Sequence, residues 1–330
     1  MVSKVLVLLL LLVWPMLSLV RAQTIGKLVV THRFPTDEFA IGIDPPIKCD
    51  TKGNIYYRDS WGAYENPPFV LLRASGERVP RIHWTSGEMR ESTMGDFGVS
   101  GNDQIYVIVR NGHRNWLLQI GRGGEVTHQA EVGGEFGEII VHDLAVISPQ
   151  SFLVRGKTPG SSNSGGSAGI IDASGQSVRE VRFQGDRSEN ENPGDWRLRP
   201  SFAADDGNVY LLHIEAAGAK VIVIAPNGDI VRTLTAQAPA EGAVAAPMFA
   251  VSGGVVALNF YREHEGRDHH WYKLIDNKSG KELGTYEAEP DDLGEFACYS
   301  SGQFEFLVGN PPVLEAGITR KYELVTAVPK

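Results

Sequence analysis

Val221-Ile222-Val223-Ile224-Ala225-Pro226-Asn227-Gly228-Asp229-Ile230-Val231 reads as an apolar strand, a tight turn and a second strand. Asn and Gly both tolerate positive φ, so Asn227-Gly228 predicts a two-residue hairpin turn. The same figure recurs at Leu71-Leu72 before Ser75-Gly76 and at Leu118-Gln119-Ile120 before Gly123-Gly124. It recurs again at Ile170-Ile171-Asp172 before Ser174-Gly175, and at Leu274-Ile275-Asp276 before Ser279-Gly280. The turn glycines 76, 124, 175, 228 and 280 are separated by 48, 51, 53 and 52 residues. Spacing this regular marks an internal repeat, which sets the architecture before any other feature.

A second turn precedes each of these, at Gly53-Asn54, Asp103-Gln104, Gln150-Ser151, Gly207-Asn208 and Gly253-Gly254, and a sixth copy stands at Gly302-Gln303. The strands that follow are Ile55–Tyr57, Ile105–Val109, Phe152–Val154, Val209–Leu212, Val255–Phe260 and Phe304–Val308. Each unit therefore reads as four short strands, and the last unit lacks its fourth. The C-terminal strand Tyr322–Ala327 has no successor, while Lys27–Phe34 near the start has no predecessor. Pairing these two completes the last sheet and removes an edge that invites aggregation. The expected fold is an all-β, six-bladed β-propeller with four-stranded blades, closed by the N-terminal strand.

Cys49-Asp50-Thr51-Lys52-Gly53-Asn54-Ile55-Tyr56-Tyr57 is the cleanest copy, and Asp205-Asp206-Gly207-Asn208-Val209-Tyr210 repeats part of it. In these turns the chain resembles NHL-type and related bacterial six-bladed propellers, whose blades carry a D-x-x-G-N-[IV]-Y figure. The resemblance implies the fold and a habit of binding ligands or proteins, and it carries over no catalytic residue.

Residues 1–22 read as a secretory signal peptide: Lys4, an apolar run from Val5 to Val13, and Val20-Arg21-Ala22 before Gln23. Residues 23–330 form one domain by this reading, with a secreted or periplasmic location and no membrane contact after cleavage. Removing Lys4 and Arg21 moves the formal charge from −9 to −11, with 29 basic against 40 acidic residues. That balance argues against nucleic acid as a partner. A monomer is expected. The loops 156–169 and 184–200 are polar and rich in small or acidic residues, either surface insertions or lids.

In a propeller the loops from the second to the third strand of each blade gather at one mouth of the axis. They supply Arg58 and Trp61, Arg110 and His113, Arg155, His213 and Arg262. Two readings stay open: a ring that binds a small anionic ligand, a glycan or a protein, or solvated charges paired with nearby acids. The run from Arg262 to Trp271 holds three histidines and three acids, but its spacing matches no zinc signature. It is read as a hydrophilic hairpin tip, with no metal and no cofactor assigned. Cys49 and Cys298 each lie four residues before a turn glycine, in equivalent places of the first and last units. Packed sheets stand about 10 Å apart, which favours two buried thiols; a disulfide needs Cα atoms within about 7 Å, a distance reached only near the axis.

No phosphate loop or HExxH motif is present. The leading expectation is an exported binding scaffold without catalysis. The alternative resembles the regucalcin and gluconolactonase propellers, metal-dependent hydrolases or lactonases, for which no matching carboxylate and amide set is found. Quinone-cofactor propellers carry a tryptophan in each repeat, unlike the tryptophans here.

Overall fold

The computed structural model describes residues 25–40, 43–59, 68–75, 77, 80–84, 92–157, 159, 167–181, 201–264, 267–288, 293–310 and 320–330. The leader 1–22, Trp61, Gly76 and the loop 184–200 lie outside these residues.

Twenty-three strands account for nearly all of the described secondary structure. Unit 1 holds β2 (Ile43–Cys49), β3 (Ile55–Asp59) and β4 (Phe69–Leu72). Unit 2 holds β5 (Thr93–Val99), β6 (Ile105–Asn111), β7 (Arg114–Ile120) and β8 (Val126–Glu131). Unit 3 holds β9 (Ile140–Ser148), β10 (Ser151–Lys157), β11 (Ser167–Asp172) and β12 (Ser177–Glu180). Unit 4 holds β13 (Ser201–Ala203), β14 (Val209–Glu215), β15 (Gly218–Ile224) and β16 (Ile230–Gln237). Unit 5 holds β17 (Val244–Ser252), β18 (Val255–His264), β19 (Arg267–Asp276) and β20 (Glu282–Ala288). The last strands are β21 (Glu295–Ser300), β22 (Gln303–Asn310), β23 (Arg320–Pro329) and, from the start of the chain, β1 (Gly26–Ala40).

These strands form an all-β molecule with its sheets in a propeller arrangement. Hydrogen bonding divides them into five sheets, three of four strands, one of three and one of eight. The eight-stranded sheet arises because β1 pairs on both sides. It runs antiparallel to β23, with Val29 opposite Val328 and Phe34 opposite Leu324. Its first two residues also pair parallel with β20, Gly26 opposite Tyr286 and Lys27 opposite Glu287. Among the described residues, unit 1 has three strands where four were expected. Its fourth is reduced to the single bridge Phe69–Ile82, next to Pro80, whose missing N–H cannot extend a ladder.

The core lies between neighbouring sheets, in five clusters. Phe69 and Trp84 of unit 1 pack on Phe97 and Val107 of unit 2, and Tyr106 of unit 2 on Phe152 of unit 3. Leu153 and Ile170 pack on Leu211 and Ile222, and Tyr210 and Leu234 belong with Phe260, Tyr272 and Phe304. The fifth cluster joins the two ends of the series: Ile47, Tyr57 and Val70 of unit 1 meet Leu307, Tyr322 and Leu324.

The repeated turn is not the two-residue hairpin. Gly228 N–H donates to Ala225 O and Ala225 N–H to Asp229 O, each at 2.8 Å. Strand pairing slips between Val223 and Ile224, and Gly228 has φ +83°. Among described non-glycine residues only Asp103 and Ser301 have positive φ, so Asn227 does not. The result is a three-residue turn ending in a left-handed glycine with a bulge, which keeps the right-handed strand twist. The same pair of backbone hydrogen bonds recurs at Gly53, Asp103, Gly124, Gly175 and Gly207.

Two of these glycines also lie against the backbone of the preceding unit. A Cβ on Gly124 would lie 1.6 Å from the carbonyl oxygen of His83 in the preceding unit, and one on Gly175 would lie 2.2 Å from that of Glu131. Four residues after the turn glycine, a side chain reaches the next unit: His128 Nε2 lies 3.0 Å from Ala173 O, Arg179 donates to Asn227 O at 3.1 Å, and Arg232 to Asn277 O at 2.8 Å.

Candidate functional site

The innermost strand of a propeller unit brings side chains to the axis, and here five of them are irregular at the same end. Pairing with the second strand is interrupted between Asp44 and Lys48, Met94 and Asp96, Ala245 and Phe249, and Phe296 and Cys298. In β9 it is interrupted at His142, between Val141 and Asp143. A bulge re-aims the side chains beside it. The residues at which pairing resumes are Lys48, Asp96, Asp143, Phe249 and Cys298.

Three of these five meet as a buried ionic cluster. Lys48 Nζ donates to Asp96 Oδ2 at 3.0 Å, Asp143 Oδ1 at 3.4 Å and Leu144 O at 3.3 Å. Arg155 joins through Nε and Nη2, 2.7 and 2.6 Å from Asp143 Oδ2. Ser201 of unit 4 donates Oγ–H to Asp143 Oδ1 at 2.8 Å and its N–H to the same carboxylate. Two cations face two anions, so the cluster is neutral in sum and ties four units together across the axis.

The protonation of this cluster follows from its burial. Desolvation pushes the Asp96 carboxyl up to about 6, against Lys48 and with help from Asp143. Its Oδ1 is buried without a hydrogen bond, which removes a further support for the charge. Burial opposes the charge on Asp143 as well, but Arg155, Lys48 and the Ser201 donors hold that carboxyl below its usual value. Burial works against the Lys48 ammonium, and Asp96 and Asp143 outweigh it, so its affinity for the proton is raised.

Beside this cluster lies the seam between β2 and β21. Cys49 and Cys298 form a disulfide with their Cα atoms 5.8 Å apart, which corrects the expectation of two free thiols. The two strands converge near the axis to well under the usual spacing of packed sheets. Glu305 is buried in the same seam, accepting one hydrogen bond at 3.0 Å from Ser300 Oγ. Burial, with the nearby Asp50 charge, pushes its carboxyl up to about 8 despite that bond. Adjacent residues on a strand point to opposite faces, so Lys48 and Cys49 tie unit 1 to neighbours on its two sides.

The residues expected at the mouth separate into groups. Arg155 belongs to the axial cluster. Arg110 donates to Glu138 O at 3.2 Å and Ile139 O at 2.6 Å, which fixes the connection into β9. Arg262 donates to Glu241 O at 3.0 Å and covers the Trp271 ring at 5.7 Å. His213 is buried on β14, Arg58 is half-buried on β3, and His113 is exposed in the turn between β6 and β7. Trp61 lies outside the described residues. All six described residues lie at the end of the molecule where the second strands finish.

The run from Arg262 to Trp271 is a hairpin of two ten-residue strands, with Arg262 opposite His269 and His264 opposite Arg267. His269 Nδ1 lies 3.1 Å from Glu287 Oε1, and His270 is half-buried beside Tyr261 and Tyr272. Burial lowers the proton affinity of His270. Among the described residues, no group of three or more His, Cys, Asp or Glu side chains is arranged to hold a metal ion.

Lys48, Asp96 and Asp143 were not singled out by motif. Their signal was a charged residue inside an otherwise apolar strand, as in Ile47-Lys48-Cys49 and Asp96-Phe97; such a residue needs a buried partner. The bulges that bring the three together leave no mark in the sequence.

No protein-family model and no curated protein matches the chain. Solved structures do. A protein assigned as exported from Bacteroides fragilis NCTC 9343 superposes with a TM-score of 0.53 at 8% identity, covering 92% of this chain and 96% of that one. A member of the DUF4221 family from Bacteroides vulgatus ATCC 8482 gives a TM-score of 0.52 at 9% identity, covering 93% and 99%. The Dos1 propeller gives 0.44 at 9% identity, covering 83% and 75%. At these identities the first two likenesses speak to the fold alone. Among the described residues, no helix is long and apolar enough to cross a membrane.

Proposed function

We propose that the chain is an exported six-bladed propeller and a binding scaffold without chemistry of its own. Its partner, a small anionic ligand, a glycan or a protein, docks at the end of the axis where the second strands finish. Arg58, His113, His213 and Arg262 form the rim of that site, and Arg110 and Arg155 set its backing. The observation that carries this reading is the set of inner-strand bulges, which gathers Lys48, Asp96 and Asp143 into a sealed, charge-balanced cluster. Its acids and bases answer one another, so it serves as a rigid floor and leaves recognition to the rim.

Several observations support six blades. The apolar clusters run from unit 1 through to β21–β23 and back to unit 1, and β1 lies along β23 as a fourth strand. The bridge from β1 to β20 accounts for a count of five sheets. Export fits the apolar leader, the Cys49–Cys298 disulfide, which persists in oxidising compartments, and the export assigned to the B. fragilis protein.

The test is thermal melting of residues 23–330 against citrate, phosphate, heparin disaccharides and glucuronate. Stabilisation by one of these, lost in Arg58→Ala and Arg262→Ala, is the expected result. Calcium- or zinc-dependent turnover of a lactone panel would replace this reading with the metal-dependent hydrolase.

A further inference from the structure

The tyrosine of the D-x-x-G-N-[IV]-Y figure does the same work in units 1 and 4. Tyr56 donates or shares its hydroxyl with Asp50 Oδ2 at 3.4 Å and with Asp103 Oδ1 of the next unit at 3.0 Å. Tyr210 donates to Asp206 Oδ2 at 2.7 Å and accepts from Asn277 Nδ2 of the next unit at 2.9 Å. Each is therefore held by an acid of its own turn and by a polar side chain from the neighbour.

Tyr106 occupies the same place in unit 2 and has neither support. Ser100 and Asn102 stand where Asp50 and Asp206 stand relative to the left-handed turn residue. In unit 3, Ala173 takes the position of Asn277, following Asp172 as Asn277 follows Asp276. The first turn of unit 3 is also shorter, with Ser148 paired directly to Ser151 across Pro149-Gln150. Burial alone raises the affinity of the Tyr106 hydroxyl for its proton, with no hydrogen bond contributing. Tyr106 is only 4% exposed and lines the space between units 2 and 3, and among the described residues no protein group hydrogen-bonds its hydroxyl.

The missing side chains leave a groove of about 390 Å³ between units 2 and 3. Tyr106, Gln119, His128 and Gln150 line it around an apolar base that includes Leu117 and Phe152. It lies at the end opposite the proposed rim, and its volume falls within the range of small-molecule sites. None of its lining residues is Arg, Lys, Asp or Glu, so a charged ligand would find no counter-ion. Peptides commonly bind by adding a strand to an open sheet edge, and this groove is lined by side chains. Amides, an imidazole and a hydroxyl over an apolar base match the alternating hydroxyl and C–H surface of a neutral sugar.

We propose that this groove is a binding site for a neutral sugar residue, with the Tyr106 hydroxyl completing its hydrogen bonds on the ligand. The site is independent of the rim reading and stands if that reading fails.

The decisive variant is Ala173→Asn, which restores the side chain that holds Tyr210 in unit 4. Titration calorimetry of residues 23–330 with maltose, cellobiose, lactose and N,N′-diacetylchitobiose should show binding of at least one. Gln150→Ala should weaken that binding about five- to tenfold, the effect of one or two lost hydrogen bonds, and Ala173→Asn should abolish it while raising the melting midpoint. In the free protein, Tyr56→Phe and Tyr210→Phe should lower that midpoint, and Tyr106→Phe should not. Failure of all four sugars to bind, binding unchanged in both groove variants, or a Tyr106→Phe loss equal to that of Tyr56→Phe would overturn the proposal. Binding of an unstructured peptide in place of the sugars would overturn it too.

Discussion

Units 1 and 5 do the same architectural job by different means. Unit 5 has strands of nine, ten, ten and seven residues, and Tyr272 packs against Phe296, Phe304 and Phe306 at 5.2–5.6 Å between ring centroids. Unit 1 has strands of seven, five and four residues. It is fixed instead by three consecutive side chains: Lys48 into the axial cluster, Cys49 into the disulfide and Asp50 into its own turn and Tyr56. Where backbone pairing is short, covalent and ionic links replace it. Unit 1 should therefore respond to reductant as well as to charge removal and pH, whereas the long pairing and aromatic packing of unit 5 should be indifferent to reductant.

The largest difference should come from the disulfide, which closes a loop of 249 residues. Loop entropy assigns it roughly 5 kcal/mol, so Cys49→Ser with Cys298→Ser, or reduction of the native chain, should lower the denaturant midpoint sharply. An unchanged midpoint would remove the seam from the account. Next is Lys48→Met, which leaves Asp96 and Asp143 in the interior with one cation fewer and should cost about 3–5 kcal/mol. Phe260→Ala in unit 5 should cost a similar amount, and the two losses should differ in pH dependence.

That pH dependence has a definite sign. The Glu305 and Asp96 carboxyls hold protons more tightly when folded, with values pushed up to about 8 and about 6. Their contribution is fully present below the unfolded values and is lost as pH rises through the folded ones. Asp143, held below its usual value, acts oppositely in strong acid. Stability should peak in mild acid and fall towards pH 8, and Glu305→Gln should raise the melting midpoint at pH 8 and flatten that fall. A native chain most stable at pH 8 would contradict this.

A smaller test separates the two functions of the turn glycine. Gly280 has φ +70° and its nearest foreign atom would be 3.6 Å from a Cβ, a side-chain carbon of Leu234. Gly280→Ala should cost about 1 kcal/mol, the strain of a left-handed alanine. Gly124→Ala adds a backbone clash with His83 and should cost at least twice as much, by the same melting assay. Equal losses would show that neighbouring units yield easily at that contact.

Much of the scaffold was legible because turns and apolar stubs are local signals. Gly124, Gly175, Gly228 and Gly280 all take positive φ, and the strands after the first turn of each unit fall where the apolar runs stand. The turn type was misread because a left-handed glycine serves both a two-residue hairpin and the bulged three-residue form. Among the described residues, the fourth strand of unit 1 shortens to one bridge beside Pro80. The disulfide was not legible, since its distance depends on how closely β2 and β21 converge. The axial cluster was missed for a related reason: a bulge depends on the register between two strands, and neither strand carries that register alone.

Hydrogen exchange of the β1 amides tests the central claim most directly, that the ring is closed by the two ends of the chain and fastened at the seam with unit 1. The pairing with β23 predicts that amides between Leu28 and Phe34 are protected together with those of Leu324 to Val328, and that both are lost at one denaturant concentration. Exchange of the β1 amides at free-peptide rates while β23 stays protected would contradict it.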